Sequence, residues 1–268
     1  MSAKRREGVK RRLQRAPVLY GAALTASKAL EIRRGAWIEP ELQLVRELVA
    51  PGETAIDVGA NYGLWSWHLA RAGSRVVAFE PIPATARAMR RIMHLLGVGA
   101  SVEVHAAGCG ERMETGTFRI PIAWPGGPAV AGLAHMAGTE GTEGWKTTEA
   151  SIVTLDDAVK RDDVSFVKVD VEGAELFVLR GADRILSEQQ PTVVCEIGRG
   201  LLQERYGIEV RDLVELMEGH GYTFTRLENG ELRQADVSRA HDGNYVFVSG
   251  RYRNRLAPAR ASAAAAAA

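Results

Sequence analysis

The sequence predicts an α/β fold: a mostly parallel, seven-stranded sheet with helices on both faces and a helical extension at the N-terminus. Three observations carry that prediction. Short β-rich runs alternate with helical patterns from about residue 54 to 250, the rhythm of a chain that winds helices onto both faces of a parallel sheet. The first run leads into two glycines four apart, AIDVGANYG (55–63), and the second ends in an acid, Glu80. Finally, 268 residues at 46% hydrophobic content suffice to bury one large core.

Residues 1–50 read as a basic, helical extension. Lys4, Arg5, Arg6, Lys10, Arg11, Arg12 and Arg15 stand against Glu7 alone, and GAALTASKAL behind them is too short, and too interrupted by Lys28, for a signal-peptide core. Such a charge run usually faces water as a solvated arm, and peripheral attachment to an anionic surface is the alternative. GAWIEPELQLVRELVA (35–50) reads as a helix entering the first strand through the turn PGE. The predicted strands are TAIDV (54–58), RVVAF (75–79), VEVHAA (102–107), SFVKVDV (165–171), TVVCEI (192–197), YTFTRL (222–227) and NYVFVS (244–249). The helical stretches between them are LWSWHLARAG, ATARAMRRIMHLLGV, ELFVLRGADRILSE and VRDLVELMEGHG, with Gly73, Gly97 and Gly221 as left-handed C-caps.

Residues 110–150 break the rhythm. They are rich in Gly, Thr and Pro, with a strand near GTFRIP followed by an irregular insert. Two readings stay open: a lid over a pocket, favoured by Trp124, His135 and Trp145, or a surface excursion. The domain expected to do the work is thus 51–252, with ASAAAAAA in the tail 253–268 carrying nothing to pack.

Composition narrows the partners. With 34 Lys and Arg against 33 Asp and Glu, the net charge of +1 gives no general attraction to nucleic acid, so none is expected. Cys109 and Cys195 lie far apart in no metal or redox spacing, which fits buried thiols in a reducing compartment and a cytoplasmic location. No apolar run reaches the ~18 residues of a membrane span.

The glycine turn is not a dinucleotide turn. A G-x-G-x-x-G loop lets the backbone approach a pyrophosphate at a helix N-terminus. Here the order is Asp57, Val58, Gly59, Ala60, Asn61, Tyr62, Gly63, with no G-x-G pair. An acid before the first glycine is awkward beside a phosphate and sensible beside a cation. S-adenosylmethionine carries an ammonium and a sulfonium and no phosphate. Asp57 is then expected to counter its amino-acid end, directly or through water, with Gly59 allowing close approach and Gly63 letting the next helix pack. Glu80 follows Asp57 by 23 residues and suits a ribose diol, one carboxylate accepting from both hydroxyls. Pro81 starts the next connection with no N–H to satisfy. An acid there would also suit NAD, so an NAD-dependent oxidoreductase remains a competing reading, as does a non-catalytic cofactor-binding module.

The blocks DVGANYG, VVAFEPIP, SIVTLDD, FVKVDVEGAELFVLRGA and PTVVCEI, in that order, resemble the FkbM family of S-adenosylmethionine-dependent methyltransferases. VKVDVEGAE is the most specific of them. The resemblance covers roughly residues 50 to 200. It implies a Rossmann-like class I methyltransferase fold and O-methylation of a hydroxyl on a sugar or other natural product. Residues 110–150 and the C-terminus fall outside it, so it does not identify the acceptor.

Ligands of open α/β sheets sit beyond the carboxyl ends of the strands. That rule gathers Asp57, Glu80, Ala107, Asp170, Glu172 and Glu196 into one neighbourhood; Ala60, Asn61 and Tyr62 come with the turn. Methyl transfer to oxygen needs alignment and a base. The candidates are Asp170, then Glu172, with Lys168, Glu196 and His241 behind. Adjacent carboxylates raise one another's pKa, or gather a divalent metal through Asp170 and Glu196; no metal is the favoured reading. The plainer readings are a structural ion pair for Lys168, a first-turn helix acid for Glu175, a helix N-cap for Asp156 or Asp157, and packing roles for His68, His105, His220 and Trp65.

Overall fold

The computed structural model describes residues 17–36, 39–122, 134–137 and 145–251. Lys4 to Arg15, Trp124 and the tail from 253 lie outside them. The described chain begins with helix α1 (Pro17–Arg34). The helix expected over 35–50 is shorter than its pattern: Glu39 is extended, Pro40 opens a 3₁₀ turn to Leu44, and α2 (Val45–Leu48) ends at an extended Val49. Proline at the first position starts a helix there because its missing N–H is needed by no partner.

From this point strands and helices alternate as predicted: β1 (Thr54–Val58), α3 (Leu64–Arg71), β2 (Arg75–Phe79), α4 (Pro83–Leu95) and β3 (Val102–His105). After the segment 108–153 come α5 (Leu155–Ala158), β8 (Val164–Val169), α6 (Glu175–Arg180), β9 (Thr192–Ile197), α7 (Arg199–Tyr206), α8 (Val210–Gly219), β10 (Thr223–Glu228), β11 (Glu231–Gln234) and β12 (Gly243–Val248). Gly73, Gly97 and Gly221 all carry positive φ at helix ends, as the C-cap reading requires.

The sheet has eight strands, in the order β3-β2-β1-β8-β9-β12-β10-β11. β3 to β9 run parallel, whereas β12 pairs antiparallel with both β9 and β10. The eighth strand, β11, is a short hairpin partner of β10 across the turn Asn229-Gly230, both at positive φ. The sheet reverses direction of growth at β1, whose neighbours are β2 and β8. Such a switch opens a crevice at the carboxyl ends of the strands.

Alternation along the strands splits the core in two. Ile56, Val58, Val167, Val169 and Val193 face α6 and α8, while Ala55, Val76, Phe166, Val194 and Val246 face α1, α3 and α4. Trp65 of α3 stacks on Phe166 at 5.8 Å between ring centroids. Lys168 shares the parity of Phe166 and is fully buried.

The stretch read from sequence as one strand and an irregular insert carries a second sheet. Its order is β4-β7-β5-β6, with β4 (Gly108–Cys109), β5 (Glu114–Pro121), β6 (His135–Met136) and β7 (Trp145–Val153). β5 is the strand expected near GTFRIP. β7, WKTTEASIV, escapes the eye because only Ala150 and Ile152 face its small core, with Phe118, Ile120 and Ile82.

At the switch, main chain meets main chain. A Cβ on Gly59 would lie 1.8 Å from the carbonyl oxygen of Asp170, and Gly59 has φ +78°. Gly97 has nearly the same φ, +79°, with nothing within 4 Å of its added Cβ. Gly97→Ala should cost about 1–2 kcal/mol for the left-handed backbone alone. Gly59→Ala should cost at least about 2 kcal/mol more, because β1 and β8 must separate. Urea unfolding of the two variants checks this; equal losses would mean that the close approach carries no strain.

Candidate functional site

A cleft of ≈ 700 Å³, open to solvent, lies at the carboxyl ends of β1, β2 and β8 under the second sheet. Gly59, Asn61, Glu80, Pro81, Ala107 and Asp170 line it from below, and Phe118, His135 and Met136 cover it from above. Glu80 is 4% exposed. Its Oε2 accepts from the Asn61 N–H at 3.0 Å and its Oε1 from the Ile82 N–H at 2.9 Å. Each oxygen keeps a lone pair for a further donor. Burial pushes Glu80 up to about 7, against the pull of those two N–H groups.

Asp57 sits deeper than the lining residues. It is 2% exposed and lies beneath the cleft without lining it. The Ser66 hydroxyl donates to it at 2.6 Å, and the Ser66 backbone also bonds it, so the carboxylate fills the N-terminus of α3. Burial raises it to about 6. Ala60 is buried in the core, and the Tyr62 ring lies 5.5 Å from the Lys28 ammonium of α1; neither lines the cleft. Gly63 is the left-handed N-cap of α3, and a Cβ there would press on Met93 and Met89.

The turn after β8 is held from within. Glu172 and Gly173 have φ +58° and +108°. Glu175 Oε1 accepts from the N–H groups of Val171 and Gly173 at 3.2 and 3.0 Å, which is more than the helix-dipole role read from sequence. Its Oε2 is buried with no hydrogen-bond partner, and burial raises Glu175 to about 7. From α7, Arg205 donates to the Glu172 carbonyl, and the next residue, Tyr206, donates its hydroxyl to the Met136 carbonyl at 2.8 Å. One helix thus ties the floor of the cleft to its roof.

Lys168 anchors the far wall. Its ammonium donates to Asn244 Oδ1 at 2.7 Å, lies 3.7 Å from Asp170 and 3.9 Å from Glu39, and sits over the Trp65 ring at 5.4 Å. Asn244 donates to Glu39 at 2.8 Å and Glu41 at 3.2 Å, and Trp65 Nε1 donates to Glu39 at 2.9 Å. Burial alone would discharge Lys168, but Asp170, Glu39 and Glu196 outweigh it and hold its pKa above the ordinary value. Glu196 keeps a side open to solvent; desolvation, then the charge and hydrogen bond of Asp170, raise its pKa. Glu196 therefore holds its proton more tightly than an ordinary carboxyl. Sequence reasoning missed Glu39 and Asn244, because their meeting depends on the antiparallel register Asn244↔Glu196.

The structure does not bring His241 to the cleft. It is exposed in a separate groove with Arg199 and Asp242, beside Arg226, its backbone N–H bonded to the Tyr245 hydroxyl at 2.9 Å. His68 lies edge-on to Trp67, His105 stacks on Phe79, and His220 is 3.5 Å from Asp183. The helix cap in TLDD is Thr154, whose Oγ1 accepts from the Asp157 N–H; Asp156 instead accepts from the N–H groups of Arg184 and Ile185. Cys195 is a buried free thiol, and Cys109 a free thiol at the cleft. Among the described residues, Asp170 and Glu196 belong to no group of three or more His, Cys, Asp or Glu arranged to hold a metal.

The raised pKa of Glu175 has a measurable cost. A carboxyl that binds its proton more tightly in the folded state contributes most at low pH and loses stability as pH rises. Relative to Glu175→Gln, the wild type should lose roughly 1.4 kcal/mol per pH unit between 4.5 and about 7. Denaturant unfolding at a series of pH values measures it, and a pH-independent difference would show that Glu175 is not destabilised by burial.

Comparison with known proteins agrees with this architecture. Residues 57–224, more than half of the chain, match the methyltransferase FkbM domain. Methyltransferase 1 of Beauveria bassiana is 29% identical over 150 residues, covering 48% of this chain and 57% of that protein. The AMB antimetabolite synthetase AmbE of Pseudomonas aeruginosa is 29% identical over 231 residues, 70% of this chain but 10% of that protein. Methyltransferase sdnD of Sordaria araneosa is 27% identical over 201 residues, covering 64% and 74%. The crystal structure of an FkbM methyltransferase from Methylobacillus flagellatus superposes with a TM-score of 0.48 at 17% identity, covering 87% of this chain and 60% of that one. The fold is the Rossmann-like class I methyltransferase fold, and the chain belongs to the FkbM family of methyltransferases.

Proposed function

We propose that the protein methylates a hydroxyl oxygen of a small-molecule acceptor, a sugar or another natural product, using S-adenosylmethionine. The observation that carries the cofactor assignment is how the turn after β1 spends its donors. The N–H groups of Gly59 and Ala60 both go to the Phe79 carbonyl at 3.0 Å, that of Asn61 to Glu80, and that of Gly63 to Ala60. Asp57 fills the N-terminus of α3. A pyrophosphate would find those donors taken and a buried acid behind them, which disfavours NAD. A phosphate-free nucleoside fits. Glu80 would hold the ribose diol, Ala107, Cys109 and Phe118 would flank the base, and Asp170 would face the amino-acid and sulfonium end.

When bound, S-adenosylmethionine supplies a methyl group on a sulfonium, from which sulfur leaves as a neutral thioether. The chain's part is alignment and proton transfer. Alignment in a closed cleft contributes about 7–11 kcal/mol in favourable cases. The second sheet covers one side of the cleft with Phe118, His135 and Met136. Asp170 stands where the cofactor cleft meets the Lys168 and Glu196 wall, and would accept the hydroxyl proton as oxygen attacks the methyl carbon. Lys168 holds that carboxylate in place. The free thiols support a cytoplasmic location, and among the described residues no helix is long and apolar enough to cross a membrane.

Two outcomes test this reading. Ribose hydroxyls donate to the ionised form of Glu80, so binding should lower its pKa from about 7 and release a proton. The affinity for S-adenosylhomocysteine should therefore rise as pH climbs through neutrality, and Glu80→Gln should abolish the trend in calorimetry. A flat profile in the wild type, or tighter binding of NAD, sinks the cofactor assignment. With labelled S-adenosylmethionine and a panel of hydroxylated acceptors, Asp170→Asn should lose about 100-fold or more in turnover at saturating cofactor, beyond any change in its affinity for S-adenosylhomocysteine. Normal turnover would move the base elsewhere.

A further inference from the structure

Helix α4 (PATARAMRRIMHL) has one face committed to the core and one that, among the described residues, faces solvent. Thr85, Ala86, Met89, Ile92 and Met93 are buried. Arg87, Arg90, Arg91, His94 and Leu95 are exposed and recur at helical spacing on the opposite side. Arg90 reaches back to the Val104 carbonyl; Arg87 and Arg91 make no such contact. Helix α1 packs along α4 and adds exposed Leu30, Arg33 and Arg34. Together the two helices hold six Lys and Arg against one acid, Glu31, which pairs with Lys28 at 2.8 Å. Glu103 of β3, the strand that α4 contacts, lies 3.0 Å from the His105 ring. In a chain of net charge +1 this is a marked concentration. It coincides with exposed apolar side chains: Leu95 is 64% exposed and Leu30 45%, two of the three large hydrophobics that the described residues leave in water.

We propose that the outer face of α4 and α1 is a docking surface for a membrane rich in anionic lipid. Arginines at headgroup depth with leucines among them are the two attractions that hold an amphipathic helix at a bilayer surface. Charge alone would serve a nucleic acid equally, but Leu30 and Leu95 have no partner on a phosphodiester backbone and have one among acyl chains. α4 starts three residues after Glu80, so its first turn stands at the cleft end of the sheet. An acceptor hydroxyl on a lipid-borne molecule would then reach the site without leaving the bilayer.

The test is sedimentation of the full chain with vesicles of phosphatidylcholine, alone or mixed with phosphatidylserine. The wild type should sediment with the mixed vesicles at low salt, stay free of the neutral ones, and be released by high salt. Arg87→Glu with Arg91→Glu should lower partitioning about tenfold or more while leaving affinity for S-adenosylhomocysteine unchanged. Leu95→Ser should lower it severalfold. If the double reversal does not fold, Arg91→Gln and Leu95→Ser carry the same comparison. Absence of binding to mixed vesicles, equal binding to neutral ones, or partitioning indifferent to these substitutions overturns the proposal. So does tighter binding to duplex RNA with the same sensitivity to Arg87 and Arg91, which would make the face a nucleic-acid surface.

Discussion

Gly59 and Asp170 meet main chain to main chain at the point where the sheet changes its direction of growth, and the rest of the site is built on that approach. The Asp170 N–H donates to the Val58 carbonyl at 3.0 Å, while a Cβ on Gly59 would lie inside the Asp170 carbonyl. No side chain larger than hydrogen leaves the ends of β1 and β8 so close. Because they are close, Asp170 stands at the lip of the cleft and not beyond it. Gly59 and Ala60 in turn bond to the last carbonyl of β2, which brings Glu80 within reach of Asn61. Three strand ends are thereby fixed by three backbone hydrogen bonds around one glycine.

Around this joint the protein keeps charge where burial opposes it. Asp57, Glu80 and Glu175 are each raised to about 6 or 7, chiefly by desolvation. Lys168 is raised as well, because the three acids around it favour its charged form and outweigh its burial. Burying an ion costs several kcal/mol unless partners replace its water, and here the replacement is uneven. Asp57 has Ser66 and Lys168 has Asn244, but Glu175 Oε2 has nothing. Groups with spare acceptor capacity cluster at the cleft, where a ligand's donors would complete them.

The second sheet and α7 turn a shelf into a cleft. An open sheet offers a ligand one wall; Phe118, His135 and Met136 supply another. α7 carries few buried side chains of its own, with Leu202 the fully buried one, yet Arg205 and Tyr206 bond the Glu172 and Met136 carbonyls. Both bonds end on backbone oxygen. The helix therefore fixes where the walls stand without specifying which side chains face the ligand.

Seven strands, the helices between them, the turn after β1 and the acid after β2 are legible in the sequence, because each follows from local spacing: period two in strands, a 3.6 period in helices, and glycine where φ turns positive. Family blocks added the methyltransferase assignment. β7 was hidden because a strand with few core-facing positions has almost no periodic signal. Glu39 and Asn244 were hidden because their partner is Lys168, more than 70 residues from Asn244 and more than 120 from Glu39. His241 looked plausible because Gly243 and the loop before β12 could present it near the acceptor, but the structure puts it in another groove. The sequence by itself determined the fold and the family, since these rest on local geometry and on blocks of residues in order. Which carboxylates face the cleft and which lie under it was decided only by the tertiary structure. Burial and charge pairing are properties of neighbours in space, and strand order and register are what choose those neighbours.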